Sequence, residues 1–316
     1  MSKTTNTILV TGGAGFIGSC LAEKLIEDSG NYVVVVDSLK TGSKTKLPES
    51  KHENLKFIQC DVNKTDQITS VFHTFSFDYV FHYAALVGVQ RTLNNPVSVL
   101  DDIDGIRNIL NLSKNTGVKR VMYASSSEVY GEPVEFPQNE ETTPLHSRLP
   151  YAIVKNVGEA FLKSYYQEYG LEFTIFRFFN TYGPKQSKDF VISKFIDAAL
   201  KNEPITVYGD GSQTRTFCFV DNNVDACIKA AFDSRYANDT LNIGNDIETT
   251  ILELAEVIIR LTNSSSEIVH LPPLAEGDMT RRKPDIAKMK GILNQELLDL
   301  ESGLKKVLDN TSFILS

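Results

Sequence analysis

Short runs of β-branched and other apolar residues alternate along the chain with stretches whose apolar positions recur every three or four residues. The runs Thr7–Thr11, Tyr32–Asp37, Leu55–Gln59, Tyr79–Tyr83, Arg120–Ala124 and Glu172–Arg177 predict strands. Within them Val33, Val34, Val35 and Val36 are contiguous, which suits a strand covered on both faces. The intervening stretches Phe16–Glu27, Asp66–Phe75, Val97–Asn115 and Tyr151–Tyr169 predict helices. Parallel neighbours need a crossover, so this alternation predicts an α/β fold with a doubly wound parallel sheet. After Asn180 the texture becomes mixed, with helical patterns at Phe190–Leu200, Asn223–Phe232 and Ile251–Leu261. Residues 1–179 are expected to form the sheet domain, joined by a returning segment near 215–245. Residues 180–316 are expected to form mainly a smaller mixed α/β domain.

Composition narrows the class. The chain has 316 residues, and 32 Lys+Arg against 40 Asp+Glu give a net charge of −8. That balance argues against a nucleic-acid partner, yet permits one anionic small ligand held by a few local arginines. No apolar run approaches the roughly 18 residues of a membrane span. The polar start Met1–Asn6 leads straight into a strand, so no signal peptide is expected. Cys20, Cys60, Cys218 and Cys227 lack CxxC spacing, as expected of reduced thiols in a cytoplasmic protein with no metal cluster.

The first candidate site follows the first strand. Gly12, Gly15 and Gly18 form a GxxGxxG run opening a helix. Such glycines permit a tight turn, close approach of a pyrophosphate and close packing of helix on strand. The helix N-terminus adds free N–H groups and a positive dipole end. Asp37 closes the second strand nineteen positions after Gly18, where a carboxylate accepts from the adenosine ribose 2′-OH and repels a 2′-phosphate. The spacing therefore predicts NAD, although Lys40 lies near. Asp61 and Val62, after the third strand, are expected at the adenine edge.

The second candidate is a set of hydroxyls and one amine. Tyr151 and Lys155 stand four apart in a helical pattern and so share a face. A phenol titrates near roughly 10, and an adjacent ammonium favours its charged form. Ser125, Ser126, Ser127 and Glu128 follow a strand at the carboxyl edge, where ligands bind in such sheets.

Together these pieces carry a resemblance. The glycine loop, the serine cluster before Val129-Tyr130-Gly131 and the Tyr151/Lys155 pair resemble the extended short-chain dehydrogenase/reductase superfamily. More narrowly, the chain is similar to its NAD-dependent nucleotide-sugar epimerase, dehydratase and decarboxylase branch. Arg177–Pro184 and Val207–Arg215 resemble the substrate segments of that branch, and the likeness runs from about residue 7 to about residue 305. The resemblance implies a Rossmann-like sheet and Ser126, Tyr151 and Lys155 as the catalytic triad. It implies cofactor contacts from Phe16, Ile17, Ala84, Tyr151 and Lys155 besides the glycines, and substrate contacts from Arg91, Ser126, Asn180, Tyr208, Arg215 and Arg282. The substrate is then a nucleotide sugar, a UDP-sugar by family habit. A homodimer through the Val97–Asn115 and Tyr151–Tyr169 helices is implied as well.

In such enzymes a 4-keto sugar forms first and its fate differs. Glu128 resembles the acid/base acting at C5 in decarboxylases and some dehydratases, and the stretch Arg281–Ile286 also resembles the decarboxylases. The segments Pro150–Lys155 and Ala84–Arg91 look more like an epimerase. The expectation is a 4-epimerase, with a UDP-glucuronate decarboxylase or a sugar dehydratase as the alternative. A non-catalytic dinucleotide-binding protein on this frame would have no use for both Tyr151 and Lys155.

Overall fold

The computed structural model describes residues 6–48, 52–132, 134–273 and 282–315. Its centre is a parallel sheet of seven strands: β1 (Asn6–Thr11), β2 (Asn31–Asp37), β3 (Leu55–Gln59), β4 (Tyr79–His82), β5 (Arg120–Ser126), β6 (Glu172–Phe178) and, far along the chain, β11 (Asp239–Ile243). Their spatial order is β11-β6-β5-β4-β1-β2-β3. The period-two pleat divides the side chains between two cores. Ile8, Val10, Val33 and Val35 face one layer, with Leu21 and Leu25 of α1 (Phe16–Ile26) and Ala230 of α8 (Val220–Phe232). Leu9, Val34 and Val36 face the other. There they meet α2 (Thr65–Thr74), α5 (Asp102–Thr116) and α6 (Pro150–Tyr169) through Ile68, Ile109 and Val154. The valine run is fully buried, as a doubly covered strand requires.

Two further helices, α3 (Val89–Asn94) and α4 (Pro96–Leu100), precede α5. The expected single helix Val97–Asn115 is therefore corrected to α4 and α5. They divide at Asp101, where Asp104 N–H bonds the Asp101 carbonyl in a three-residue turn.

Between β6 and β11 the chain builds β7 (Thr181–Tyr182), α7 (Val191–Leu200), β8 (Ile205–Tyr208), β9 (Thr214–Thr216) and β10 (Cys218–Phe219). After β11 come β12 (Glu248–Thr250), α9 (Ile251–Thr262), β13 (Ile268–Leu271), α10 (Ala287–Leu293), α11 (Leu300–Leu308) and α12 (Ser312–Leu315). The short strands pair as β7 with β10, β8 with β13 and β9 with β12. They stand over the carboxyl edge of the sheet, where the order of crossovers reverses between β1 and β4. Open α/β sheets bind ligands in that crevice. No helix among the described residues is long and apolar enough to cross a membrane.

Candidate active site

β1 ends against a turn that only glycine can make. Gly12 has φ +67°, and a Cβ there would lie 2.7 Å from the backbone N of Ala84. A Cβ on Gly18 would lie 2.4 Å from the Gly12 carbonyl oxygen, so helix and turn are in direct contact. Gly15 precedes α1 and offers no side-chain cap, which leaves first-turn N–H groups for an anion. Asp37, mostly buried at the end of β2, is fixed on both oxygens. Oδ2 accepts from Ala14 N–H at 3.0 Å and Oδ1 from Leu39 N–H at 2.8 Å. The second bond steadies Leu39 in a left-handed conformation, φ 61°. Lys40, whose position left room for a 2′-phosphate, is instead paired to Asp61 at 2.8 Å. A glycine cradle, an uncapped helix start and a fixed carboxylate fit a dinucleotide without a 2′-phosphate.

The serines sit where β5 runs out at the same edge. Ser126 Oγ accepts from Glu128 N–H at 3.2 Å, starting a short 3-10 turn over Ser127–Tyr130. Pro150, suited to a first helical turn, opens α6 and places Tyr151 at the cleft with Lys155 one turn on. Lys155 Nζ donates to the Ala124 carbonyl at 2.7 Å and lies 5.7 Å from the Tyr151 ring centre. Burial holds the Tyr151 phenol well above its ordinary value, opposed by a hydrogen bond with Ser126 and by the Arg282 charge. Desolvation thus outweighs the neighbouring groups that favour a phenolate.

Burial pulls Lys155 the other way, down to about 8, against the upward effect of Asp102. Because the folded value lies below the ordinary 10.5, the ammonium discharges as pH rises through about 8. We expect kcat/KM to fall along an alkaline limb near pH 8, read from its pH profile. The stability sign is opposite. The unfolded chain holds the extra proton between about 8 and 10.5, so the cost of burying Lys155 is complete below 8 and fades as pH rises.

The substrate candidates line the same cleft. Asn180 has φ 33°, and its buried Nδ2 has no acceptor among the described residues, a donor suited to a ligand oxygen. Tyr208 ends β8; Arg215 lies on β9, with Nη1 donating to the Thr214 carbonyl at 2.8 Å. Arg91 reaches across the mouth to Asp189 at 2.7 Å. Arg282 pairs with Glu128 at 2.7 Å, the two side chains being 9% and 19% exposed. Arg281, next to it in the motif, lies outside the described residues.

Every site residue named from the sequence lines one cleft of about 870 Å³. Sequence reading missed Asp102, also in that wall. Its Oδ2 accepts from Leu86 N–H at 2.7 Å and its Oδ1 from Asn63 Nδ2 at 3.3 Å, while burial pushes its carboxyl up. In sequence it reads as an ordinary first-turn acid of a helix, and nothing nearby marks it as a cleft residue.

The profile of the NAD dependent epimerase/dehydratase family matches residues 8–244. The chain belongs to this family. The cofactor of this epimerase/dehydratase family member is NAD, as the glycine run and Asp37 predict. The chain is 39% identical to the UDP-N-acetyl-alpha-D-glucosaminuronate decarboxylase of Bacillus cytotoxicus, over 95% of this chain and 96% of that protein. It is also 39% identical to UDP-glucuronic acid decarboxylase 3 of Arabidopsis thaliana, over 92% of this chain and 84% of that one. The UDP-glucose 4-epimerase of Thermotoga maritima, solved with UDP-glucose, superposes with a TM-score of 0.89 at 34% identity, covering 96% of this chain and 98% of that one. Epimerases and decarboxylases thus share the frame of this family member, and the cleft has to separate them.

Proposed function

We propose that this family member is an NAD-dependent UDP-hexuronate decarboxylase. The observation that carries the reading is the Arg282–Glu128 pair, mostly buried in the cleft wall, whose charges both act on Tyr151. Removing such ions from water costs several kcal/mol each, so a buried pair calls for a use beyond stability. An epimerase of a neutral sugar must turn its 4-keto intermediate over between hydride transfers, and fixed charges beside the ring hinder that. A decarboxylase holds the ring in one pose, and it needs a cation for the carboxylate and a proton for C5. The names of the 39%-identical relatives support the same reading. It reverses the preference for an epimerase drawn from Pro150–Lys155 and Ala84–Arg91.

The glycine run, the start of α1 and Asp37 would hold NAD, which would supply a hydride acceptor for C4 and afterwards a hydride donor for the ketone. Tyr151, as phenolate, takes the 4-OH proton; the Lys155 ammonium and the Ser126 hydroxyl stabilise its charged oxygen. The C4 ketone stands β to the C6 carboxylate, so cleavage of the C5–C6 bond sends its electrons to the C4 oxygen. Tyr151, now protonated, and Ser126 donate to that oxygen as charge builds. Arg282 exchanges Glu128 for the incoming carboxylate, and Glu128, released from the pair, takes up a proton from water and passes it to C5. Asn180 and Arg215 hold the diphosphate, the arginine through its planar fork.

Incubating the NAD-loaded protein with UDP-glucuronate, UDP-N-acetylglucosaminuronate, UDP-glucose and UDP-N-acetylglucosamine tests the reading. A product lighter by carbon dioxide from a uronate is expected. An isomer of unchanged mass, from a neutral sugar or a uronate, would assign epimerisation instead.

A further inference from the structure

Arg282 and Glu128 come from elements that do not neighbour each other in sequence, and something must hold them in register. Glu128 lies in the 3-10 turn Ser127–Tyr130. Arg282 begins a strap, residues 282–286, that runs beside Gln138 through an isolated parallel bridge between Gln138 and Pro284. Gln138 N–H donates to the Lys283 carbonyl at 2.7 Å, and Asp285 N–H to the Gln138 carbonyl at 2.8 Å.

One fully buried side chain reaches both parts. Asn242, on β11, accepts from the Tyr130 hydroxyl on Oδ1 at 2.7 Å. Its Nδ2 donates to the carbonyls of Gln138 at 2.9 Å and Asp285 at 3.2 Å. Its backbone N–H is taken by Glu140 Oε1 at 2.8 Å. The path continues inward. Arg177 Nη1 donates to the Tyr130 oxygen at 2.9 Å, and Arg177 Nη2 to Glu159 Oε2 at 2.7 Å. Glu159 is on α6, one turn beyond Lys155, and its Oε1 accepts from Ser125 at 2.6 Å. An unbroken chain of buried polar contacts therefore joins the helix of Tyr151 and Lys155 to the strap of Arg282.

We infer that Asn242 is a positioning residue: it ties the Arg282 strap to the Glu128 turn and sets the geometry of that pair relative to Tyr151. Oxidation at C4 needs only the Ser126, Tyr151 and Lys155 set. The later step needs Arg282 and Glu128 in place, so loosening the tie affects the two halves of the reaction unequally. What the pair does rests on the decarboxylase reading; that Asn242 sets its geometry does not.

The test uses NAD-loaded Asn242→Ala and, because that change opens a buried space, also Tyr130→Phe, which removes only the hydroxyl bonded to Asn242 Oδ1. Amide exchange over residues 136–140 and 282–288 is expected to become about tenfold faster in Asn242→Ala, with residues 120–126 unchanged, since local opening loses two hydrogen bonds. With a UDP-hexuronate, absorbance of bound NADH is expected to form at a rate within about threefold of the parent while carbon dioxide release falls by about a hundredfold, the size of loss an ångström of misplacement produces. Tyr130→Phe is expected to move both readouts in the same directions by less. Unchanged exchange in both variants would overturn the inference, as would NADH formation and carbon dioxide release falling in parallel. If the parent releases no carbon dioxide from any uronate, the decarboxylase reading alone fails, and the exchange result still decides for or against Asn242.

Discussion

Replacing Tyr151 by phenylalanine is expected to lower turnover by about 10²–10⁴-fold, the usual contribution of a positioned general base. The change removes one oxygen at the mouth of α6 and leaves the aromatic ring that packs in the wall. The glycine cradle and Asp37 are untouched, so NAD is expected to bind as before. Turnover and NAD affinity, measured side by side on the purified variant, separate the two effects. Unchanged turnover would remove Tyr151 from the reaction. A loss of NAD binding along with activity would instead mean that the ring is needed for the shape of the cleft.

Glu159→Ala is expected to cost about 3–5 kcal/mol of stability, because it strands a buried cation. Arg177 and Glu159 are each 2% exposed and form a two-pronged pair, Nε to Oε1 at 3.0 Å and Nη2 to Oε2 at 2.7 Å. Ser125 loses its acceptor in the same stroke. Replacing both ions together, as Glu159→Leu with Arg177→Met, is expected to cost less than Glu159→Ala alone, since no charge is left without a partner. Urea unfolding of the NAD-loaded proteins checks both statements. The exposed pair Arg260–Glu301, with side chains 59% and 40% exposed at 2.7 Å, gives the contrast. Its loss is expected to cost no more than about 1 kcal/mol. Equal losses at the two sites would show that water reaches Arg177 after all.

The sheet was legible because its signals are local. A valine run between helical repeats reads as a doubly covered strand, and β2 occupies Asn31–Asp37 where Tyr32–Asp37 was expected. The glycine run is also local, since the turn, the anion site and the helix start lie within seven residues. The break between α4 and α5 was not legible, because the apolar spacing continues across Asp101 and a single turn decides it. The short strands over the cleft, such as β9 with β12, were hidden for another reason. Their partners lie far apart in sequence, and three-residue strands carry too little pattern to show.

The site divides in the same way. Tyr151 with Lys155 and Ser126 with Glu128 are near neighbours in sequence, so spacing exposes them. Glu128 with Arg282, Arg177 with Glu159, and Tyr130 with Asn242 are meetings across the fold, and no spacing announces them. Asp102 shows the limit most plainly. Its burial and its bond to Leu86 N–H come from the bend before α5, which the apolar pattern does not mark.

The position of β11 bears on how the protein is made. β11 pairs along its whole length with β6, from Asp239 against Thr174 to Ile243 against Phe178. Arg120, at the start of β5, donates to the carbonyls of Ala230, Ala231 and Asp233 at the end of α8. A nascent chain that has released β1 to β6 from the ribosome therefore still has the apolar edge of β6 open, and Arg120, paired with Glu172, still lacks its three carbonyl acceptors. That edge stays exposed to other chains until the strand ending at Ile243 emerges and closes it. The half that carries the glycine run is thus translated first but completed only after the segment from β7 to β10 exists.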